Sequence, residues 1–170
     1  MKPGTRRCAS CTRVDDGQPW LVIGIGNLLR RDDGAGPWVI RRLEELTLPG
    51  LQTLEHAGDG MILLDRWHGH PRVCVVDATR SGAAPGTVRH FDALAKPLPR
   101  DLFHPSSHLF GVAEAVDLAR LQGVLPGRLE VFGIEGGDFG YGEGVSDEIV
   151  TGVTEVVTAI ETIVLGEKQW

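Results

Sequence analysis

Two adjacent carboxylates, Asp32 and Asp33, close the run Leu21-Val-Ile-Gly-Ile-Gly-Asn-Leu-Leu-Arg-Arg-Asp-Asp-Gly-Ala-Gly36, in which an apolar strand ends in a glycine turn just before an expected helix. Side chains at the carboxyl ends of strands in an open α/β sheet converge on the crevice where ligands bind. A third acid, Asp77, ends the apolar run that starts at Val73, and His108 is expected in the first turn of a later helix. Two carboxylates and an imidazole can bind a divalent ion with one position left open for substrate, and such oxygen and nitrogen donors suit nickel or zinc. Plainer roles compete at each position. Asp33 can cap the helix beginning near Gly34, a histidine at a helix start usually faces solvent, and His104, set among prolines, is a rival imidazole.

Other chemistries fit less well. Gly24-Ile-Gly26 invites a phosphate-binding reading, but a dinucleotide loop would need its third glycine where Leu29 stands, and two carboxylates follow where pyrophosphate would bring like charge. The lysine and hydroxyl of a Walker loop are absent. There is no Gly-x-Ser-x-Gly elbow, and Cys74 lies in a strand interior rather than at an exposed turn. Ser106 and Ser107 adjoin His108, yet serine capping of the next helix explains them as well as nucleophilic catalysis does. Cys8-x-x-Cys11 lacks a second ligand pair and precedes the first strand, so it is read as part of a mobile tail carrying at most an incidental zinc or disulfide.

The elements that must position these residues alternate in type. Trp20 to Ile25, Leu51 to His56, Val73 to Asp77, Thr87 to Phe91 and Leu129 to Ile134 read as strands. Helices are expected over Pro37 to Thr47, from Met61 toward Trp67, after Ser106 or Ser107, and after Ser146. Too few residues separate Asp77 from Thr87 for a helical crossover, so the fourth strand should run antiparallel. The fold class is therefore α/β: a three-layer α/β/α sandwich with a five-stranded, mostly parallel mixed sheet. Residues 1–19 form an N-terminal extension, 20–166 one domain and 167–170 a tail. A chain of 170 residues with net charge -6 and only arginine pairs offers no nucleic-acid surface, and no stretch of about 20 apolar residues could cross a bilayer. A cytoplasmic location and no membrane segment are expected.

At these residues the chain resembles the hydrogenase maturation endopeptidases, which trim the C-terminal extension of the nickel-iron hydrogenase large subunit. Gly24-Ile-Gly26-Asn27-Leu28 with Asp32-Asp33-Gly34-x-Gly36 is similar to the family's opening motif. Val75-Val76-Asp77-Ala78 is similar to its second, and Ser107-His108-Leu109-x-Gly111 to its histidine motif. Gly133-Ile134-Glu135 and Gly142-x-Gly144-x-Ser146 match its late loop, so the resemblance runs from about Trp20 to Val164. Two features depart from the pattern: Cys8-x-x-Cys11 lies in an N-terminal extension, and Gly136-Gly137 follows Glu135 where the family often has proline. The resemblance implies an endopeptidase without a permanent cofactor, monomeric when free, whose Asp33, Asp77 and His108 engage nickel already carried by the large-subunit precursor. A metal-sensing scaffold or maturation chaperone that docks the same precursor without cutting it is the alternative.

Overall fold

In a computed structural model of the chain, residues 18–103 and 110–166 are described. The strands are β1 (Trp20–Ile25), β2 (Leu51–His56), β3 (Arg72–Thr79), β4 (Val88–Asp92) and β5 (Arg128–Glu135). The helices are α1 (Ala35–Leu46), α2 (Gly60–Trp67), α3 (Val112–Gln122) and α4 (Asp147–Leu165), with one 3-10 turn over Arg31–Gly34. The sheet order is β2-β1-β3-β5-β4; the first four strands are parallel and β4 runs antiparallel to β5. No helix among the described residues is long and apolar enough to cross a membrane.

Side-chain alternation along the strands builds the layers. Leu21, Ile23 and Ile25 of β1, Val73 and Val75 of β3, and Leu129 and Val131 of β5 point to one face, where α2 and α3 cover them with Leu63, Trp67, Val112 and Val116. The residues between them, Trp20, Val22, Cys74, Val76, Phe132 and Ile134, pack on the other face against Val39 and Leu43 of α1 and Ile149, Val153, Val156 and Ile160 of α4. Strands covered on both faces read as unbroken apolar runs, as β3 does. Burial pushes the Cys74 thiol well up, with the Glu130 carboxylate adding to the effect, which suits a core residue and no nucleophile.

Three local expectations need correction. The helical spacing of Val39, Leu43 and Leu46 predicts one shared buried face, but Leu46 is 44% exposed at the last turn, where Thr47 turns left-handed (φ 49°) and ends the helix. β3 continues past Asp77 to Thr79, since β5 pairs with it as far as Glu135. The third helix starts at Val112, with Gly111 as its N-cap and the Glu114 carboxylate accepting from the Gly111 amide at 3.0 Å. The residues expected to open that helix, Ser106 or Ser107 as its cap and His108 in its first turn, lie outside the described residues.

The glycines of the opening motif set how closely α1 lies on the sheet. A methyl group at Gly36 would meet the backbone of Ile25 and, at 2.7 Å, the carbonyl of Val76, while one at Gly24 would meet Gly36. Gly36→Ala therefore forces α1 off β1 and β3. Overpacking against backbone that cannot yield should cost about 3 kcal/mol, read as a lowered denaturant midpoint at unchanged slope.

Candidate active site

Because β1, β2, β3 and β5 are parallel, the segments leaving their carboxyl ends gather along one edge. Asp33 lies in the segment after β1. Asp77 sits near the end of β3, on the face that α2 and α3 cover, and its neighbour across the sheet is Gly133, which contributes no side chain. The two acids meet at this edge closely enough that the charge of Asp33 opposes ionisation of Asp77.

Gly26 makes that approach possible. Its φ of +142° disfavours any other residue, and a side chain there would collide with the Asp33 carbonyl. The chain then turns so that the Asn27 amide donates to Asp33 Oδ2 at 2.9 Å, while Asn27 Oδ1 accepts from the Leu29 amide at 2.9 Å. Asp33 is thus not the cap of α1, whose N-cap is Gly34 with no side-chain capping bond.

Burial raises the Asp33 carboxyl above the ordinary range, moderated by the Asn27 amide and the Arg30 guanidinium. Asp77 is raised much further: burial acts first, the Asp33 charge adds to it, and the Ala78 amide offsets only part. A like charge placed this way lets Asp77 keep its proton at a pH where an isolated carboxyl would have lost it. Burial and the like charge favour the protonated form of Asp77, while the Asn27 amide and the Arg30 guanidinium favour the charged form of Asp33, a division that suits paired general acid and base chemistry.

Asp32, next in sequence, does something else. It is 1% exposed; its Oδ2 accepts from the amides of Gly137 and Asp138, both at 2.8 Å, and its Oδ1 accepts from the Ser146 amide at 2.9 Å. Burial alone would raise this carboxyl, but the Ser146, Asp138 and Gly137 amides outweigh it and hold it below the ordinary value. Asp32 is the post to which the glycine-rich loop after β5 is tied. The tie is reinforced by backbone: Arg31 N–H donates to the Gly142 carbonyl and Gly142 N–H to the Leu29 carbonyl, while Arg31 pairs with Asp138 at 3.2 Å. Arg31 pays for this with a left-handed backbone (φ 47°), a strain of about 1 kcal/mol that such surroundings can hold.

Glu135 performs the matching task for the loop after β3. It is buried and accepts from the Thr79 hydroxyl (2.9 Å), the Ser81 amide (2.6 Å) and hydroxyl (2.9 Å), and the Gly82 amide (2.8 Å). Burial pushes its carboxyl up, and these hydrogen bonds bring it below the usual range. Reading the sequence for chemistry passed over both anchoring roles. The usable signal was the glycine-rich run itself, whose free amides must find acceptors when the loop packs down. His56 was likewise missed as a site neighbour: it ends β2 at the same edge, buried, with Nδ1 accepting from the Gly58 amide at 2.9 Å and its carbonyl accepting from Gly26.

His108, its rival His104, and Ser106 and Ser107 lie outside the described residues, as do Cys8 and Cys11. Among the described residues no group of three His, Cys, Asp or Glu side chains is gathered to hold a metal.

An α/β/α domain with an acid pair at its strand ends is the class that fold and site define. The hydrogenase maturation protease family (HycI) matches residues 39–164. HupD of Thiocapsa roseopersicina, a hydrogenase expression/formation protein, is 32% identical over 117 residues, covering 68% of this chain and 53% of that protein. HupD of Rhizobium leguminosarum bv. viciae is 30% identical over 153 residues, 88% of this chain and 74% of the relative. The solved [NiFe] hydrogenase maturation protease HybD from Thermococcus kodakarensis superposes with a TM-score of 0.68 at 29% identity, covering 86% of this chain and 99% of that one. The chain belongs to the hydrogenase maturation protease family. It spans about half the length of the Thiocapsa relative and about three quarters of the Rhizobium one.

Proposed function

We propose that this chain is an endopeptidase that removes the C-terminal extension of a nickel-iron hydrogenase large-subunit precursor, acting on the nickel-loaded form. The observation that carries the reading is the acid pair: Asp33 and Asp77 come from different segments of the same edge, and the charge of Asp33 opposes ionisation of Asp77. A purely structural role gives no reason to keep that repulsion, whereas the anchoring acids Asp32 and Glu135 are both satisfied by donors.

The chemistry divides between the pair. Asp33, with Arg30 and the Asn27 amide favouring its charge, is the base that takes a proton from the attacking water as oxygen adds to the scissile carbonyl. Asp77, held neutral, gives its proton to the departing amide nitrogen as the C–N bond breaks. Precursor-borne nickel is part of the substrate in this scheme; one oxygen of Asp33, the carbonyl oxygen of the protonated Asp77 carboxyl and the His108 imidazole would supply the donors that orient it near the scissile bond.

The test is to incubate the purified chain, Asp33→Asn and His108→Ala with nickel-loaded precursor and weigh both products. The wild type should release one C-terminal peptide, and each variant should do so at least a hundredfold more slowly while still folding. Stable binding of the precursor by the wild type with no peptide released would establish the docking scaffold instead.

A further inference from the structure

The loop tied down by Asp32 also builds a ledge beside the acids. Arg30 and Arg80 converge on Phe139: Arg30 Nη2 donates to its carbonyl at 3.5 Å, and the Arg80 guanidinium lies over its ring, 5.4 Å from the centroid. Arg30 also lies over the Tyr141 ring at 5.2 Å. Tyr141 is 85% exposed and Leu29, joined to the loop through the Gly142 amide, is 59% exposed. Met61 and Ile62, exposed at the start of α2, follow β2 at the same edge of the sheet.

These are the residue types that carry binding energy at protein interfaces, where tyrosine and arginine are enriched. A guanidinium held over a ring face still carries N–H donors that can pair with a carboxylate. Positive charge here is local in a chain of net charge -6, which disfavours a long polyanion and suits one or two carboxylates.

We propose that this ledge seats an extended peptide segment of the substrate protein carrying a carboxylate beside an apolar side chain, the carboxylate on Arg80 and the apolar group on Tyr141 and Leu29. The inference rests on the endopeptidase reading for the identity of that protein. Arg30 is close enough to Asp33 to influence its charge, so the informative variants are Arg80→Glu and Tyr141→Ala.

Affinity for nickel-loaded large-subunit precursor, and the KM and kcat of processing, are measured for the wild type, these two variants, and Arg89→Glu on the edge strand β4 as a charge-matched control. Arg80→Glu and Tyr141→Ala should each weaken binding and raise KM about tenfold, with kcat and its pH profile within twofold of wild type. Added salt should erode the wild-type affinity and leave that of Arg80→Glu nearly flat. Arg89→Glu should bind like the wild type. Wild-type affinity in both ledge variants, or loss of kcat at unchanged KM, overturns the ledge. If the wild type binds through the ledge but cuts nothing, the endopeptidase reading falls and the docking surface stands.

Discussion

Asp77→Asn should slow processing at least a hundredfold and at the same time make the protein melt about 2–4 °C higher at pH 7. The amide cannot donate the proton that the leaving nitrogen needs, which accounts for the rate. The stability gain follows from the raised carboxyl. A folded-state value above the unfolded one means that Asp77 contributes its full stability only below the ordinary carboxylate range, near pH 4, and loses it as pH rises through the raised value. The amide has no such loss. The difference in melting temperature should therefore vanish near pH 4 and open toward neutrality. Equal melting temperatures across that window, with normal processing, would remove Asp77 from the site.

Asp32→Ala should act in the opposite sense. It leaves the amides of Gly137, Asp138 and Ser146 without their acceptor, and hydrogen bonds to a charged group are worth about 1.5–3 kcal/mol each. Allowing for water reaching the loosened loop, a loss of about 3 kcal/mol and a fall of roughly 10 °C in melting temperature are expected. Here the folded carboxyl is lowered, so its contribution is present above the unfolded value and lost as pH falls through the folded one. The gap between wild type and variant should narrow toward acid. Hydrogen exchange should quicken at Gly137, Asp138 and Ser146 while the strands stay protected. An unchanged exchange pattern would mean the loop holds without its post. Asp77 and Asp32 thus make opposite predictions, one kept at a cost to stability and the other stabilising.

Periodicity was enough to recover the layers. The apolar runs of β1 and β3 announced strands covered on both faces, and the nine residues between Asp77 and Thr87 announced the antiparallel course of β4. Spacing also marked Asp33 and Asp77 as strand-end acids. It could not separate the roles of Asp32 and Asp33, because the difference lies in donors more than a hundred residues away: Asp32 accepts from Gly137, Asp138 and Ser146, whereas Asp33 accepts from the Asn27 amide close by in sequence. Nor could it exclude Asp33 as a cap, since Asp-Gly before an apolar helix is a legitimate cap signal until Gly34 is seen to take that place. The start of α3 was misjudged for a related reason: Ser106 and Ser107 are strong capping types, but the Glu114 carboxylate satisfies the Gly111 amide further along.

The central claim is that the acid pair cuts a precursor only once nickel is in place. The direct measurement is the initial single-turnover cleavage rate of matched apo and nickel-loaded precursor, with the metal content of the purified enzyme determined before mixing. The purified enzyme should carry little nickel, release the C-terminal peptide from the loaded precursor and leave the apo form essentially intact. Equal rates on both forms, with no nickel transferred during the assay, would contradict it.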